Sequence, residues 1–190
     1  MRVQVPATSA NLGPGFDTLA LALTLYDEVE AFLSPSGLSI EVSGEGAALA
    51  GAGENHLVVR AMRAAFAATG GQPPGLTLRC ENRIPHGRGL GSSAAAIVSG
   101  VLAARALVEH GSAKLPDEAA FELATDLEGH PDPDRVRPVA HALRPARRRG
   151  AREAAASLAA LPRASVAPLS PGAAAPLRSL MPPCIPRPRR

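Results

Sequence analysis

The stretch IPHGRGLGSSAA, residues 84–95, places three glycines and two serines directly after a segment that alternates like a β-strand. Gly87, Gly89 and Gly91 allow positive φ angles and a close approach of the backbone to a ligand. If a helix begins at Ser92, its unpaired amides point at the same place with the helix dipole behind them. The pattern predicts a phosphate site, although a tight strand-to-helix turn with a serine cap stays open as an alternative.

Two better-known phosphate loops do not match this stretch. A Walker loop ends in Gly-Lys-Ser or Gly-Lys-Thr, and the chain has no lysine before Lys114. The dinucleotide fingerprint requires GxGxxG, whereas the glycines here stand at every second position, 87, 89 and 91, and Ser92 follows. If the loop binds phosphate, it belongs to another class of nucleotide site.

The segments around the loop show both strand and helix patterns. Period-two alternation predicts strands at 3–5, ended by Pro6, at 38–42, and at 76–84. On the last strand the apolar face consists of Leu76, Leu78, Cys80 and Ile84. Helices interspersed among such half-exposed strands predict an α+β domain.

Three helices are predicted from apolar spacing. The first begins at His56 and ends at Gly70-Gly71, and the second runs from Ser92 to about Glu109 with almost no polar face. The third begins near Pro116, and its core stripe is Ala119, Leu123 and Leu127, with the acids Glu118, Glu122 and Asp126 on its outer row. Glu128 departs from that acidic row, because it lies at the margin of the apolar face, four residues after Ala124.

Charge and proline content divide the chain near Asp132/Pro133. Residues 1–132 contain 8 basic and 15 acidic residues, a net charge of −7, whereas residues 133–190 contain 12 arginines and two acids, a net charge of +10. The second part also holds 11 of the 19 prolines. We predict one domain over 1–132 and an Arg/Pro/Ala-rich, disordered tail over 133–190.

Several protein classes are excluded by simple patterns. Cys80 and Cys184 lie far apart without metal-ligand spacing, so neither a disulfide framework nor a zinc site is expected. The N-terminus lacks the apolar core of a secretory signal, and the longest helical apolar stretch, 92–104, is too short to span a bilayer. A cytoplasmic protein without a membrane partner is predicted.

Three motifs carry a resemblance to a known family. PHGRGLGSSAA (85–95) resembles the central phosphate-loop motif of the superfamily of galactokinase, homoserine kinase, mevalonate kinase and phosphomevalonate kinase. VPATSANLGPGFDTLALAL (5–23) resembles the opening segment of the homoserine kinases, and LEGHPD (127–132) resembles their third signature. The motifs follow in the family's order and cover the N-terminal part of the chain.

This resemblance implies a fold and a reaction. The fold would be the N-terminal lobe of these kinases, which is ribosomal protein S5 domain 2-like, without the family's second, ferredoxin-like domain. The reaction would be transfer of the γ-phosphoryl group of ATP, with Mg²⁺, to the side-chain hydroxyl of L-homoserine, giving O-phospho-L-homoserine for threonine synthesis. Nucleic acid is not an expected partner, and a homodimer stays open.

The resemblance also assigns site residues. ATP would be bound by Pro85, His86, Gly87, Arg88, Gly89, Leu90, Gly91, Ser92, Ser93, Ala94 and Ala95. Ser93 and Glu128 would hold Mg²⁺, while Asn11, Asp17 and His130 would bind homoserine, with Asp17 and Glu128 as the catalytic pair. From the residues alone, Asn11 also reads as a turn residue, His130 as structural and Glu128 as a helix-end acid. The general base is left open, and Asn55 either caps the His56 helix or lines the adenine pocket.

The family pattern breaks at Pro133, where an Asn would follow HPD. Our hypothesis is that the coding sequence is read out of frame from about this position, and the alternative is a genuine basic tail that attracts phosphates or acidic surfaces. Three functions therefore compete. They are an active small-molecule kinase, for which the resemblance implies homoserine as the acceptor, a nucleotide-binding remnant without turnover, and a non-enzymatic protein that binds acidic partners through its tail.

Overall fold

The computed structural model describes residues 1–10, 20–129 and the backbone of 165–167. Its strands form one sheet in the order β3-β4-β2-β1-β5. β3 and β4 are parallel, and the other neighbouring pairs are antiparallel. The strands are β1 (Arg2–Ala10), β2 (Ala20–Ser34), β3 (Gly37–Gly44), β4 (Gly75–Asn82) and β5 (Ser165–Ala167).

The helices of the described residues are α1 (Leu57–Thr69), α2 (Ser92–Leu107), α3 (Gly111–Lys114) and α4 (Asp117–Glu128), with a 3₁₀ segment at Ala47–Asn55. α2 packs against β1 and β2, and α1 and α4 pack against α2. The predicted α+β class is therefore confirmed. In the part of the chain that the structure describes, no helix has the length and apolar character needed to cross a membrane.

The core lies between one face of the sheet and the helices. In β4, buried and more exposed residues alternate from Leu76 to Glu81, as the period-two pattern of 76–84 predicts, although the strand ends at Asn82. Burial raises the pKa of the Cys80 thiol to about 12, so this cysteine is an inert core residue at neutral pH. The strand residues that belong to the buried hydrophobic core are Val3, Val5, Ala7, Val29, Ala31, Leu76, Leu78 and Cys80.

Two strands differ from the sequence-based prediction. The first strand does not end at Pro6 but continues to Ala10, with a register shift between Pro6 and Thr8 that accommodates the missing proline amide. The 15-residue strand β2 was not predicted at all. Its pattern is obscured because Asp27 occupies the buried face while Leu21 and Leu33 are exposed.

The helices follow their predictions more closely. α1 ends at Gly70, which has a φ of 99°, and α2 is buried on most sides and ends at Leu107. On α4 the predicted stripe of Ala119, Leu123 and Leu127 packs against the core, but these residues are only half-buried. The fully buried positions, Ala120 and Ala124, lie one residue further along.

Most of the predicted tail lies outside the described residues, as does the boundary at Asp132/Pro133. Ser165–Ala167 is described, and this segment pairs with residues 2–4 of β1. The first part of β1 is therefore paired with a strand on each side, β2 and β5.

The substitution Gly100→Ala tests how closely α1 packs on α2. A Cβ atom at Gly100 would lie 2.5 Å from the Val58 carbonyl oxygen and 2.7 Å from the Ala61 Cβ atom. Gly→Ala within a helix normally raises stability by about 0.5–1 kcal/mol, but overpacking costs about 1–3 kcal/mol. We expect Gly100→Ala to lower the free energy of unfolding in urea.

The matched control is Gly71→Ala, because an added Cβ there meets no atom within 4 Å. This control should leave the free energy of unfolding unchanged or slightly raised. An equal rise in the free energy of unfolding in both variants would contradict the close packing at Gly100.

Candidate active site

The glycine-rich loop connects the end of β4 to the start of α2, as the sequence predicts. Gly87, Gly89 and Gly91 have φ angles of 66°, 72° and 72°, which L side chains rarely adopt. Pro85 and Leu90 are half-buried, and the residues between them are exposed. Of the other predicted ATP-binding residues, Ser92 is half-buried and Ser93 exposed, while Ala94 and Ala95 are buried beneath the loop.

The start of α2 is open to an anion. Gly91 occupies the cap position, and no side chain caps the helix, so the alternative of a serine cap is wrong. The first backbone bond of the turn runs from the Ala95 amide to the Gly91 carbonyl oxygen. Within the described residues, the amides of Ser92, Ser93 and Ala94 have no acceptor, and the positive end of the helix dipole lies behind them.

Ser93 and Glu128 are brought together across 35 residues of sequence. The Ser93 Oγ atom donates a hydrogen bond of 2.5 Å to Glu128 Oε1. The Oε2 atom is buried and finds no hydrogen-bond partner among the described residues. A buried carboxylate oxygen without a partner is costly, so the site suits an additional cation or donor. The role of this pair in binding metal remains a prediction.

The packing of α4 on α2 explains this meeting. An ion pair of 2.7 Å between Arg105 and Asp117 joins the last turn of α2 to the first turn of α4. The helices therefore run in opposite directions, and the C-terminal end of α4 returns to the start of α2. Glu128 follows Ala120 and Ala124 at intervals of four, so it extends the buried stripe toward the loop.

Asp27 holds the beginning of the loop. Its Oδ1 atom accepts hydrogen bonds from the backbone amides of Arg83, at 2.7 Å, and Ile84, at 2.9 Å. Burial raises the pKa of the Asp27 carboxyl above its ordinary value, and the two amide hydrogen bonds oppose that shift. The carboxylate thus replaces a strand neighbour at the point where the chain leaves β4.

Thr8 holds the other end of the loop. Its backbone amide donates to the Leu90 carbonyl oxygen at 3.0 Å. A Cβ atom at Gly91 would collide with Thr8 Oγ1, so only glycine allows this approach. The loop is therefore attached to β1 just before α2 begins.

A third attachment comes from the end of β3. The Glu45 amide donates to the Asn82 carbonyl oxygen at 2.9 Å, and the Asn82 side-chain amide donates to the Glu45 carbonyl oxygen at 3.0 Å. The His86 ring lies over the backbone of Gly46, where any side chain would meet it. Arg88 remains exposed and forms no ion pair with the described residues.

Three predicted substrate residues, Asn11, Asp17 and His130, lie outside the described residues. Asn55 is described and exposed, but the cap position of α1 is taken by His56, so the capping role is wrong. Burial lowers the pKa of the His56 imidazole, and its Nδ1 atom has no hydrogen-bond partner in the described part of the chain.

Asp27 and Thr8 were missed by the sequence analysis. Asp27 could have been found by its position, because it shares one strand face with Val29 and Ala31 and is the acid on an otherwise apolar stripe. Thr8 was missed because the first strand was ended too early, at Pro6. Neither residue belongs to a pattern that binds ligands by itself.

Comparison with protein families identifies the fold of this region. Residues 56–134 match the GHMP kinases N terminal domain. The homoserine kinase of Streptomyces coelicolor is 59% identical over 132 residues, which cover 70% of this chain and 43% of that protein. The chain therefore spans less than half the length of this curated relative.

Solved structures agree with this result. The homoserine kinase of Cytophaga hutchinsonii superposes with a TM-score of 0.60 and 28% identity over 74% of this chain and 45% of that one. The mevalonate kinase of Methanococcus jannaschii gives a TM-score of 0.54 at 16% identity, over 67% of this chain and 45% of that one, and this likeness concerns the fold alone.

The attachment at Thr8 can be tested with two glycine variants. Gly89→Ala and Gly91→Ala both place an L residue at a φ of 72°, but an added Cβ meets nothing within 4 Å at Gly89, whereas at Gly91 it meets Thr8 Oγ1. The left-handed conformation costs about 1–2 kcal/mol in both variants. We expect Gly91→Ala to lose at least about 1 kcal/mol more in urea unfolding, because of the collision.

A double variant serves as the control. Thr8→Ala removes the Oγ1 atom, so Gly91→Ala should cost less in the Thr8→Ala background than in the original chain. Equal losses for Gly89→Ala and Gly91→Ala would contradict the close approach of β1 to the loop.

Proposed function

We propose that the N-terminal part of this chain, which is similar to homoserine kinases and matches the GHMP kinases N terminal domain over residues 56–134, is the ATP-binding lobe of a cytoplasmic homoserine kinase. The reaction is transfer of the γ-phosphoryl group of ATP to the side-chain hydroxyl of L-homoserine. The product, O-phospho-L-homoserine, serves threonine synthesis.

The observation that carries the proposal is the contact between Ser93 and Glu128 beside the glycine-rich loop. A hydroxyl and a carboxylate 2.5 Å apart stand at the open N-terminus of α2. Phosphoryl transfer needs such a combination, since amides hold phosphate oxygens while hard oxygen ligands hold the metal.

The loop supplies the anion-binding part of the site. The amides of Ser92, Ser93 and Ala94 and the dipole of α2 attract phosphate oxygens. Residues 1–132 carry a net charge of −7, so a tri- or tetra-anionic nucleotide needs local positive charge. Arg88 has its charge free of ion pairs with the described residues, and the loop carries it to the site.

The same pair fits Mg²⁺. Ser93 Oγ and Glu128 Oε2 would hold the ion, which when bound neutralises phosphate charge during transfer. The partnerless Oε2 atom is the observation that favours this fit. No cluster of three or more His, Cys, Asp or Glu side chains stands ready for a metal within the described ranges. Phosphate oxygens and water would therefore complete the shell.

The acceptor side of the site rests on the family resemblance. Asp17 would accept a hydrogen bond from the homoserine hydroxyl, and Asn11 and His130 would orient the substrate. These roles assign the phosphate donor to described residues and the acceptor contacts to Asn11, Asp17 and His130, which lie outside them. A homodimer stays open, and no general base is assigned.

A nucleotide-binding remnant without turnover is the second candidate, and the break of the family pattern at Pro133 favours it. The chain covers 43% of its Streptomyces coelicolor relative, and the GHMP kinase match ends at residue 134. The end of the GHMP kinase match at residue 134 lies next to Pro133, where the family pattern breaks. We keep the out-of-frame tail as part of the proposal, with a genuine basic tail as its alternative.

The metal assignment predicts opposite effects of Glu128→Gln on binding and on stability. Glutamine keeps the shape but removes the charge, so affinity for Mg·ATP should fall about tenfold or more, as for a lost charged contact. Without ligand the free energy of unfolding should stay equal or rise, because a buried charge is removed. Isothermal titration calorimetry and urea unfolding measure the two effects.

Glu122→Gln is the matched control, since this acid is exposed on the outer row of the same helix. It should change neither quantity. If Glu128→Gln binds Mg·ATP as tightly as the original chain, the pair does not hold the metal.

Turnover tests the acceptor half of the proposal. We expect the 190-residue chain to bind ATP weakly and to release little ADP with L-homoserine present, because misplacement of an acceptor costs orders of magnitude in rate. A chain with the reading frame after Asp132 restored should show strong homoserine-dependent ADP release. Equal turnover by both chains would show that the tail replaces the second domain, and no turnover by either would refute homoserine as the acceptor.

A further inference from the structure

We propose that Asp27 is the positioning residue of the glycine-rich loop: its carboxylate fixes the point where the chain leaves β4 and thereby places the loop over the start of α2. The consequence of this positioning for ATP binding rests on the proposed function, whereas the positioning of the loop by Asp27 is independent of it.

The position of Asp27 at the end of the β2–β4 ladder is the first argument. The last pair of this ladder is Glu28 with Glu81, and the same register continued would oppose Asp27 to Asn82. The chain turns away there, and the amides of Arg83 and Ile84 lose their strand neighbour. Asp27 Oδ1 accepts both amides, at 2.7 and 2.9 Å, so one side-chain atom replaces the strand.

The cost of this arrangement is the second argument. Asp27 is 4% exposed and lies on the same strand face as Val29 and Ala31, where an apolar side chain would pack without any desolvation cost. No arginine or lysine pairs with it among the described residues. The hydrogen bonds that this carboxylate accepts from described residues both come from the first two amides of the loop.

The distribution of attachments along the loop is the third argument. After Ile84, which is fully buried, the next backbone attachment is the Thr8 amide on Leu90. Residues 85–89 lie between these points and include two glycines with positive φ. The start of such a segment decides its path. Loss of the hydrogen bonds from Arg83 and Ile84 to Asp27 would therefore shift the loop backbone and Arg88 relative to Ser93. Displacement by about 1 Å can cost 100-fold in a positioned reaction.

The test compares four chains at a temperature where circular dichroism shows all of them folded. Asp27→Asn keeps the Oδ1 acceptor and the shape, whereas Asp27→Ala removes the acceptor. Val29→Ala is the matched control, because it makes a cavity on the same face of the same strand without touching the loop. Hydrogen exchange of the amides of 83–91 and the Kd of Mg·ATP are measured in each chain.

We expect the amides of Arg83 and Ile84, which lose their acceptor, to exchange about tenfold faster or more in Asp27→Ala, and this chain to bind Mg·ATP about tenfold more weakly. Asp27→Asn should stay within about threefold of the original chain in both measurements, because its oxygen still accepts the amides. Val29→Ala should lose stability without changing either one. If Asp27→Ala does not fold, Asp27→Val removes the acceptor with a side chain suited to a buried strand, and the same values are expected.

Unchanged exchange at 83–91 in Asp27→Ala would overturn the proposal. Faster exchange in Asp27→Ala with an unchanged Kd of Mg·ATP would overturn the consequence for ATP binding. If Val29→Ala changed exchange and Kd as much as Asp27→Ala does, Asp27 would act only as part of the core. If the original chain binds no Mg·ATP, the proposed function fails, and hydrogen exchange alone then decides whether Asp27 fixes the loop.

Discussion

The need of every backbone amide for a hydrogen-bond partner governs the region between β4 and α2. When the chain leaves the sheet at Asn82, its amides lose their ladder, and nine residues pass before the helix begins. Among the described residues this need is met for the amides of Arg83 and Ile84, which donate to Asp27, while at the other end of the loop the Leu90 carbonyl oxygen accepts from the Thr8 amide. The amides at the start of α2 stay unsatisfied within the described residues, and this is what makes the place suitable for an anion.

The rest of the lobe supports this arrangement from behind. α2 is buried on most sides by β1, β2, α1 and α4, so its N-terminus cannot tilt without disturbing the core. The antiparallel packing of α4 then delivers Glu128 to the same point as Ser93. A carboxylate at the end of a helix is unfavourable beside the negative end of its own dipole, but here it lies at the positive end of α2. Two helices and one loop thus bring together the free amides, the hydroxyl and the carboxylate on which the proposed phosphate and metal site rests.

Sequence and structure agree best where local chemistry decides the outcome. The glycines at 87, 89 and 91 and the strand before them predicted a loop between strand and helix, since positive φ is a local property of glycine. The end of α1 at Gly70 followed from the same rule. On α4 the predicted stripe does pack against the core, but the deepest positions, Ala120 and Ala124, were not predicted, because alanine gives little signal of how closely a neighbouring helix approaches. The strand β2 was missed because its buried face carries an acid.

The sequence by itself determined the class of the domain, the loop, the helix behind it and, through the three motifs, the kinship with homoserine kinases. These properties reside in short segments, where a few residues suffice to set φ angles, caps and periodicity. Only the tertiary structure decided that Asp27 would accept two amides 56 and 57 residues away, and it brings Ser93 and Glu128, which the resemblance had paired, into hydrogen-bond contact across 35 residues. The physical reason is that such contacts depend on strand register and helix packing, which are properties of the assembled core and of no single segment.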